Sequence, residues 1–121
     1  MSMVLNARRL DDVVILDLSG RITMGEGTLI LRNNIQKMLA DGDRKFLLNL
    51  TDVNYIDSSG LGTLVAAHLS AKTAGASVRL CNLGHKFNEV MQMTKLITIF
   101  DVYDTEAAAV DSFSTSRAAS N

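Results

Sequence analysis

The chain has 121 residues, 47% of them hydrophobic, so we expect one domain with a proper core and no room for a second. Its formal net charge is -1, which gives no indication of binding to nucleic acid or to an anionic membrane surface. No run of about eighteen apolar residues and no signal peptide are found, so we expect a cytoplasmic protein that does not span a membrane.

The first half of the chain predicts a hairpin, a helix and a buried strand. Met3 to Arg9 is a weak strand candidate and Val13–Leu18 a clearer one, and two strands so close together should pair antiparallel. The loop Gly20–Gly27 leads into a helix predicted from about Thr28 to Ala40. The apolar run Phe46–Leu50 predicts the next strand.

The stretch Asn54–Gly62, with the sequence Asn-Tyr-Ile-Asp-Ser-Ser-Gly-Leu-Gly, predicts a polar turn that opens a helix running to about Thr73. In this helix His68 is expected to be packed or at the edge of the core. Five side chains recur at the spacing of a single helical face. They are Leu61, Leu64, Val65, His68 and Leu69.

The last third of the chain repeats the alternation of strand and helix. A strand is predicted at Val78–Cys81, a short helix around Phe87–Thr94 with Met91 and Met93 as core fillers, and a last strand at Ile97–Phe100. Asp104 is expected to cap a final helix that ends near Phe113.

These elements predict an α/β fold with a mixed sheet of four to five strands, an N-terminal antiparallel hairpin and about four helices. The predicted domain spans residues 3–113. The small polar segment 114–121 is expected to be a disordered tail.

The predicted turn carries two adjacent hydroxyls, and either Ser58 or Ser59 could cap the helix. Gly60 and Gly62 each cost a helix about 1 kcal/mol relative to alanine. They would be useful where another backbone, a phosphate or a partner must come close. Alternatively, Ser59 is only a cap and the glycines only ease packing against the strand.

No enzymatic chemistry is predicted. His68 stands ten residues after Ser58, about 15 Å along a straight helix, and nothing indicates that His85 approaches the serine. The Gly-x-Ser-x-Gly elbow of hydrolases is missing, and Gly25-Glu26-Gly27 lacks the lysine of a P-loop. The only cysteine, Cys81, is expected to be a buried thiol, and no metal or cofactor is predicted.

The string Asp57-Ser58-Ser59-Gly60-Leu61-Gly62, after an apolar strand and a Tyr-Ile pair, closely resembles the signature of bacterial anti-sigma factor antagonists, which are single STAS domains. The similarity of pattern runs from about Leu5 to Phe113. It implies the STAS fold. It also implies a partner-binding surface formed by Asp57, Ser58, Ser59, Gly60, Leu61 and Gly62, with Arg21 and Thr23 from the loop after the second strand.

The resemblance further implies that Ser58 is phosphorylated by an anti-sigma factor that is also an ATP-binding, histidine-kinase-like serine kinase. The unphosphorylated domain would bind this partner and free a sigma factor, and a PP2C-type phosphatase would reset the switch. Relatives carry two acidic residues where this chain has Arg21 and Thr23, so the choice of kinase is left open.

The resemblance also leaves a second reading open. The chain would then be a constitutive STAS scaffold or a ligand-sensing subunit of a signalling or lipid-transport complex, with Ser58 merely a cap. Homodimer formation, the sigma factor and the upstream signal are all left open by the sequence.

Overall fold

The computed structural model describes residues 3–119 and contains five strands and four α-helices within that range. The strands are β1 (Val4–Leu10), β2 (Val13–Ile22), β3 (Lys45–Ile56), β4 (Ser77–Cys81) and β5 (Asp101–Tyr103). The helices are α1 (Glu26–Ala40), α2 (Ser58–Thr73), α3 (His85–Met93) and α4 (Glu106–Ala119), with a 3-10 turn at Leu96–Thr98.

The strands form one mixed sheet in the order β1-β2-β3-β4-β5. β1 and β2 are antiparallel and form a hairpin, in which Asp11 adopts a left-handed conformation with φ 57°. The other three strand pairs are parallel. The predicted mixed sheet, N-terminal hairpin and set of four helices are therefore confirmed.

One face of the sheet carries the main core. Leu16, Leu48 and Leu80 are register neighbours on β2, β3 and β4, and all three are fully buried. Buried side chains of α1, α2 and α3 belong to the same cluster, among them Leu31 and Leu64. These three helices therefore cover one face, as the alternation of side chains along each strand requires.

The opposite face of the sheet is covered by α4. Phe113 packs with Leu47 and Cys81 in a second buried cluster, and the guanidinium of Arg79 lies 4.3 Å from the centre of the Phe113 ring. The expectation that Cys81 is a buried thiol is confirmed, and burial raises its pKa to about 11. Arg8 on β1 also holds α4, because it hydrogen bonds Glu106.

β3 is longer than the predicted strand Phe46–Leu50, and it continues to Ile56. β4 pairs with it only as far as Asn49, and beyond that point β3 pairs with β2 alone, up to the register pair Ile22 and Ile56. The extension has no neighbour on one side, so its residues are mostly exposed and polar. Exposed polar residues are typical of turns, so the sequence from Asn54 onward predicted a turn where the structure continues the strand.

The last strand was predicted at the wrong place. Residues Ile97–Phe100 do not form it; Lys95 turns the chain with φ 66°, a 3-10 turn follows, and β5 comes afterwards. Ile97 is partly buried against the core. A turn that packs on the core needs apolar residues as a strand does, so the apolar run alone did not distinguish the two. The expectation that Asp104 caps α4 was also wrong, because the Thr105 hydroxyl accepts the N–H of Ala108 at 3.1 Å.

Two helices have bounds other than those predicted. α1 begins at Glu26 instead of Thr28, directly after Gly25, whose φ of 100° suits glycine. α4 continues past Phe113 to Ala119, since no glycine or proline follows to end it. The domain limits of 3–113 and a disordered tail at 114–121 stay predictions, and residues 120–121 lie outside the described range.

Two apolar residues that were expected in the core are exposed. Leu69 follows the buried Ala67 by two positions, and Met93 follows the buried Met91 by two. Two positions correspond to a rotation of about 200° around an α-helix, so each lies on the far side from its buried neighbour. His68 is partly buried, as expected, with its ring 5.1 Å from that of Phe100.

The two leucines of α2 provide a matched test of which helical face is buried. Leu64 is fully buried and Leu69 is 55% exposed. We expect Leu64→Ala to lower the free energy of unfolding by about 2–5 kcal/mol because it leaves a cavity in the core. Leu69→Ala should change it by no more than about 0.5 kcal/mol. Urea denaturation of both variants measures the difference, and equal losses would contradict the assignment of faces.

Candidate functional site

The start of α2 is capped by Asp57. This residue has an extended backbone, with φ -101° and ψ -177°, and its Oδ1 accepts the N–H of Gly60 at 2.8 Å. The prediction that Ser58 or Ser59 would cap the helix was therefore wrong. A serine one position later would place its own hydroxyl in the first helical turn, whereas Asp57 stands directly outside it and satisfies a free N–H.

Asp57 also ties the helix to the loop that follows β2. Its second carboxylate oxygen, Oδ2, accepts the N–H of Met24 at 3.1 Å. Its own N–H donates to the carbonyl oxygen of Ile22 at 3.3 Å. The loop that carries Thr23 is consequently fixed beside the first turn of α2.

The N–H groups of Gly60 and Met24 lower the pKa of the Asp57 carboxyl, with Gly60 as the larger cause. Since both hydrogen bonds go to the charged form, this carboxylate stays ionised at neutral pH. The turn therefore holds a fixed negative charge whose two oxygens are already occupied by the protein backbone.

The two serines differ in their surroundings. Ser58, the first residue of α2, is exposed, and its hydroxyl makes no hydrogen bond within residues 3–119. Ser59 is partly buried, and its carbonyl oxygen accepts the hydroxyl of Thr63 at 3.0 Å. Neither hydroxyl makes a hydrogen bond within the described residues, and Ser58 is the more exposed of the two.

The two glycines of the motif serve different purposes. A Cβ on Gly60 would lie 2.2 Å from the carbonyl oxygen of Ile22 and 2.7 Å from Cγ1 of Ile56, so a side chain has no room there. A Cβ on Gly62 would meet nothing within 4 Å. Gly60 thus allows α2 to approach the ends of β2 and β3, whereas Gly62 leaves an open patch on the surface.

Three exposed side chains surround the turn. The guanidinium of Arg21 lies 4.5 Å from the centre of the Tyr55 ring, its register neighbour on β3. Tyr55 is 49% exposed and Met24 is 75% exposed. Sequence reasoning did not select Met24, because it lies 33 positions before Asp57 and is brought to the turn by the hydrogen bond from its N–H to that carboxylate.

The other predicted partner-binding residues are placed as follows. Thr23 is partly buried in the loop beside Asp57. Leu61 is also partly buried and packs against the main core, so it presents less surface than its neighbours. The turn and this loop together bring all the predicted residues to one end of the sheet.

Two grooves border the turn. One, of about 410 Å³, lies between α1 and α2 and reaches Ser59 and Gly62. The other, of about 450 Å³, lies between the end of β3 and the start of α3 and reaches Tyr55 and Ile56. The surface next to the turn is therefore uneven.

Neither histidine is placed to activate Ser58. His68 packs on Phe100, and Nε2 of His85 lies 3.9 Å from a carboxylate oxygen of Glu89. Among the described residues, no group of three or more potential ligands could hold a metal ion. In the same part of the chain, every helix is too short or too polar to cross a membrane.

Comparison with known proteins identifies the fold and the relatives. The STAS domain family model matches residues 4–109. A Thermotoga maritima protein assigned as an anti-sigma factor antagonist is 32% identical over 101 residues, covering 84% of this chain and 89% of its own. The anti-sigma F factor antagonist of Paenibacillus polymyxa is 22% identical over 98 residues, covering 81% of this chain and 84% of its own.

A solved structure agrees with these matches. The crystal structure of the Thermotoga maritima protein superimposes with a TM-score of 0.83 at 29% identity, covering 89% of this chain and 92% of that one. The likeness therefore extends over almost the whole fold.

The two glycines provide a matched pair of substitutions. We expect Gly60→Ala to destabilise the fold by about 1–3 kcal/mol or more, because the new methyl group would collide with the backbone of Ile22. Gly62→Ala should be neutral or stabilising by up to about 1 kcal/mol, since alanine favours the helix and space is available. Thermal and urea denaturation of both variants checks this, and similar losses would contradict the packing described for Gly60.

The capping carboxylate should make stability depend on pH. Because its pKa is lower in the folded state than the ordinary value of 3.8, ionised Asp57 stabilises the fold above that value. This contribution is lost as the pH falls through the folded-state pKa. We expect Asp57→Asn to be less stable than wild type at neutral pH and the gap to narrow below about pH 4. Melting curves between pH 2 and 7 measure it, and a constant gap would contradict a lowered pKa.

Proposed function

The chain belongs to the STAS domain family and groups within it with proteins named anti-sigma factor antagonists, and we propose that it binds an anti-sigma factor through the turn at Ser58. The proposed partner is also a serine kinase, and phosphorylation of Ser58 ends the binding. The domain then acts as a substrate and a binding module, and not as an enzyme.

The observation that carries this proposal is that Asp57 makes the structural contacts of the turn, whereas the neighbouring Ser58 makes none with its hydroxyl. Asp57 caps the helix and holds the loop after β2. The exposed Ser58 hydroxyl makes no hydrogen bond within the described residues, so modifying it removes no contact that holds the fold together.

A phosphate on Ser58 should leave the fold intact. It would bring a charge of about −1.5 to −2 to the first residue of a helix, where the free N–H groups and the helix dipole favour an anion. The neighbouring carboxylate of Asp57 opposes it by repulsion. These two effects act in opposite directions, and Ser58 is exposed enough for water to solvate the phosphate.

The main effect of phosphorylation should fall on the partner. A surface that is complementary to a neutral hydroxyl and to the open patch at Gly62 would have to strip water from a near-dianion. A cost of about 3 kcal/mol weakens binding by about two orders of magnitude. The unmodified form then binds, the phosphorylated form dissociates, and a PP2C-type phosphatase returns it to the binding state.

The substitution Ser58→Asp tests this function. We expect it to abolish capture of a histidine-kinase-like anti-sigma factor from extract of the source cells, while the melting temperature stays within a few degrees of wild type. Quantitative pull-down with wild type and variant as baits, followed by mass spectrometry of the captured proteins, measures the effect. Incubation of the captured kinase with ATP and wild-type chain should then add phosphate at Ser58.

Two control baits separate charge at Ser58 from other effects. Ser77 is exposed at the start of β4, at the opposite end of the sheet from the turn, and Ser77→Asp should retain the partner. Ser58→Ala should also bind, and it should resist dissociation in the presence of ATP. If wild type and Ser58→Asp capture the same proteins, Ser58 is not the control point and the domain is a constitutive scaffold.

A further inference from the structure

The groove between the end of β3 and the start of α3, called the β3–α3 groove below, adjoins the phosphorylation turn. It has a volume of about 450 Å³. Tyr55 and Ile56 form its wall on the β3 side, and they directly precede Asp57 and Ser58 in the chain. A protein seated on the Ser58 turn would therefore also reach this groove.

The floor of the groove is apolar. Phe87 contributes a nearly buried ring, and Ile56 and Val90 are partly buried beside it. The volume lies within the range of sites that hold a small ligand or a few side chains. An apolar floor of this kind favours burial of an apolar side chain over binding of a free anion.

The rim of the groove is positively charged. Lys86 is one of the lining residues, and no carboxylate lines the groove. Arg21 does not line the groove, but it adds a second cation above the ring of Tyr55, which does. Glu89, whose carboxylate lies 3.9 Å from His85, offsets part of this positive charge, whereas Lys86 and Arg21 make no ion pair within the described residues.

The helix that forms one wall adds to this positive potential. α3 begins after Gly84, which has no side chain to accept a hydrogen bond from the first N–H groups. The positive end of the helix dipole therefore meets the groove without a protein carboxylate to balance it. Asp57 follows Ile56 directly and does not line the groove, but its carboxylate keeps its negative charge and offsets part of this potential.

We propose that the β3–α3 groove receives an acidic, apolar segment of the partner protein, with an apolar side chain on the floor and carboxylates paired with Lys86 and Arg21. The inference rests on the proposed function, because the occupant is part of the protein that docks over Ser58. It also assigns a role to Arg21, which becomes a specificity-determining cation for partners that carry negative charge at this point.

Titration of the purified full chain with two synthetic tetrapeptides tests the groove directly. The probes are acetyl-Asp-Leu-Phe-Glu-amide and acetyl-Lys-Leu-Phe-Lys-amide, and binding is followed by two-dimensional nitrogen–proton NMR. We expect the acidic peptide to shift the amide signals of Tyr55, Ile56 and Phe87 in a saturable way, and the basic peptide to bind more weakly. Lys86→Glu and Arg21→Glu should each weaken the acidic peptide about two- to fivefold.

Lys72→Glu is the matched control, since Lys72 is exposed in the last turn of α2 and does not line the groove. It should leave the affinity unchanged. The proposal is overturned if neither peptide shifts the groove signals, if both bind equally, or if Lys72→Glu weakens binding as much as Lys86→Glu. No anti-sigma factor is used in this titration. The titration therefore tests the groove alone, and the pull-down tests the Ser58 switch, so either proposal can be contradicted without the other.

Discussion

The bridging carboxylate of Asp57 is the interaction on which the geometry of the site depends. One oxygen satisfies a free N–H of α2, and the other holds the backbone of the loop after β2. A single short side chain thereby fixes the end of one strand and the start of one helix relative to each other. It acts together with the pairing of β2 and β3, which ends at Ile22 and Ile56 directly before the turn.

The position of this carboxylate also explains how a charge switch can operate without unfolding the domain. The residue that stabilises the helix and the residue proposed to be modified are adjacent but separate. A phosphate on Ser58 would lie on the water side of the turn, and the cap would remain in place. Such a switch changes what the surface offers to a partner, whereas the core beneath it stays as it is.

The turn lies at one end of the sheet because β2 and β3 extend beyond β4. Their extensions pair only with each other, and α2 is drawn close over them because Gly60 has no side chain. Tyr55, Arg21 and Met24 are exposed at this end of the sheet, and the β3–α3 groove lies beside Tyr55. The surface proposed to meet the partner thus lies where the two long strands extend beyond their neighbour.

The sequence by itself determined the class of the fold and the identity of the central turn. Alternating apolar strands and amphipathic helices fix an α/β arrangement because each element must bury one face, and the residues Asp57 to Gly62 are adjacent in the chain. Local spacing also placed the buried Leu64 correctly. It misplaced Leu69 and Met93, since a helix in this fold turns only part of its apolar surface towards the sheet.

Only the tertiary structure decided features that depend on contacts between distant segments. The choice of Asp57 as the cap follows from its bridge to Met24, 33 positions earlier, and no local propensity separates it from the two serines. The different roles of Gly60 and Gly62 depend on where the backbone of Ile22 lies. The pairing of Arg21 with Tyr55 and the positive rim of the groove likewise require the register of β2 on β3, which is set by packing of the whole sheet.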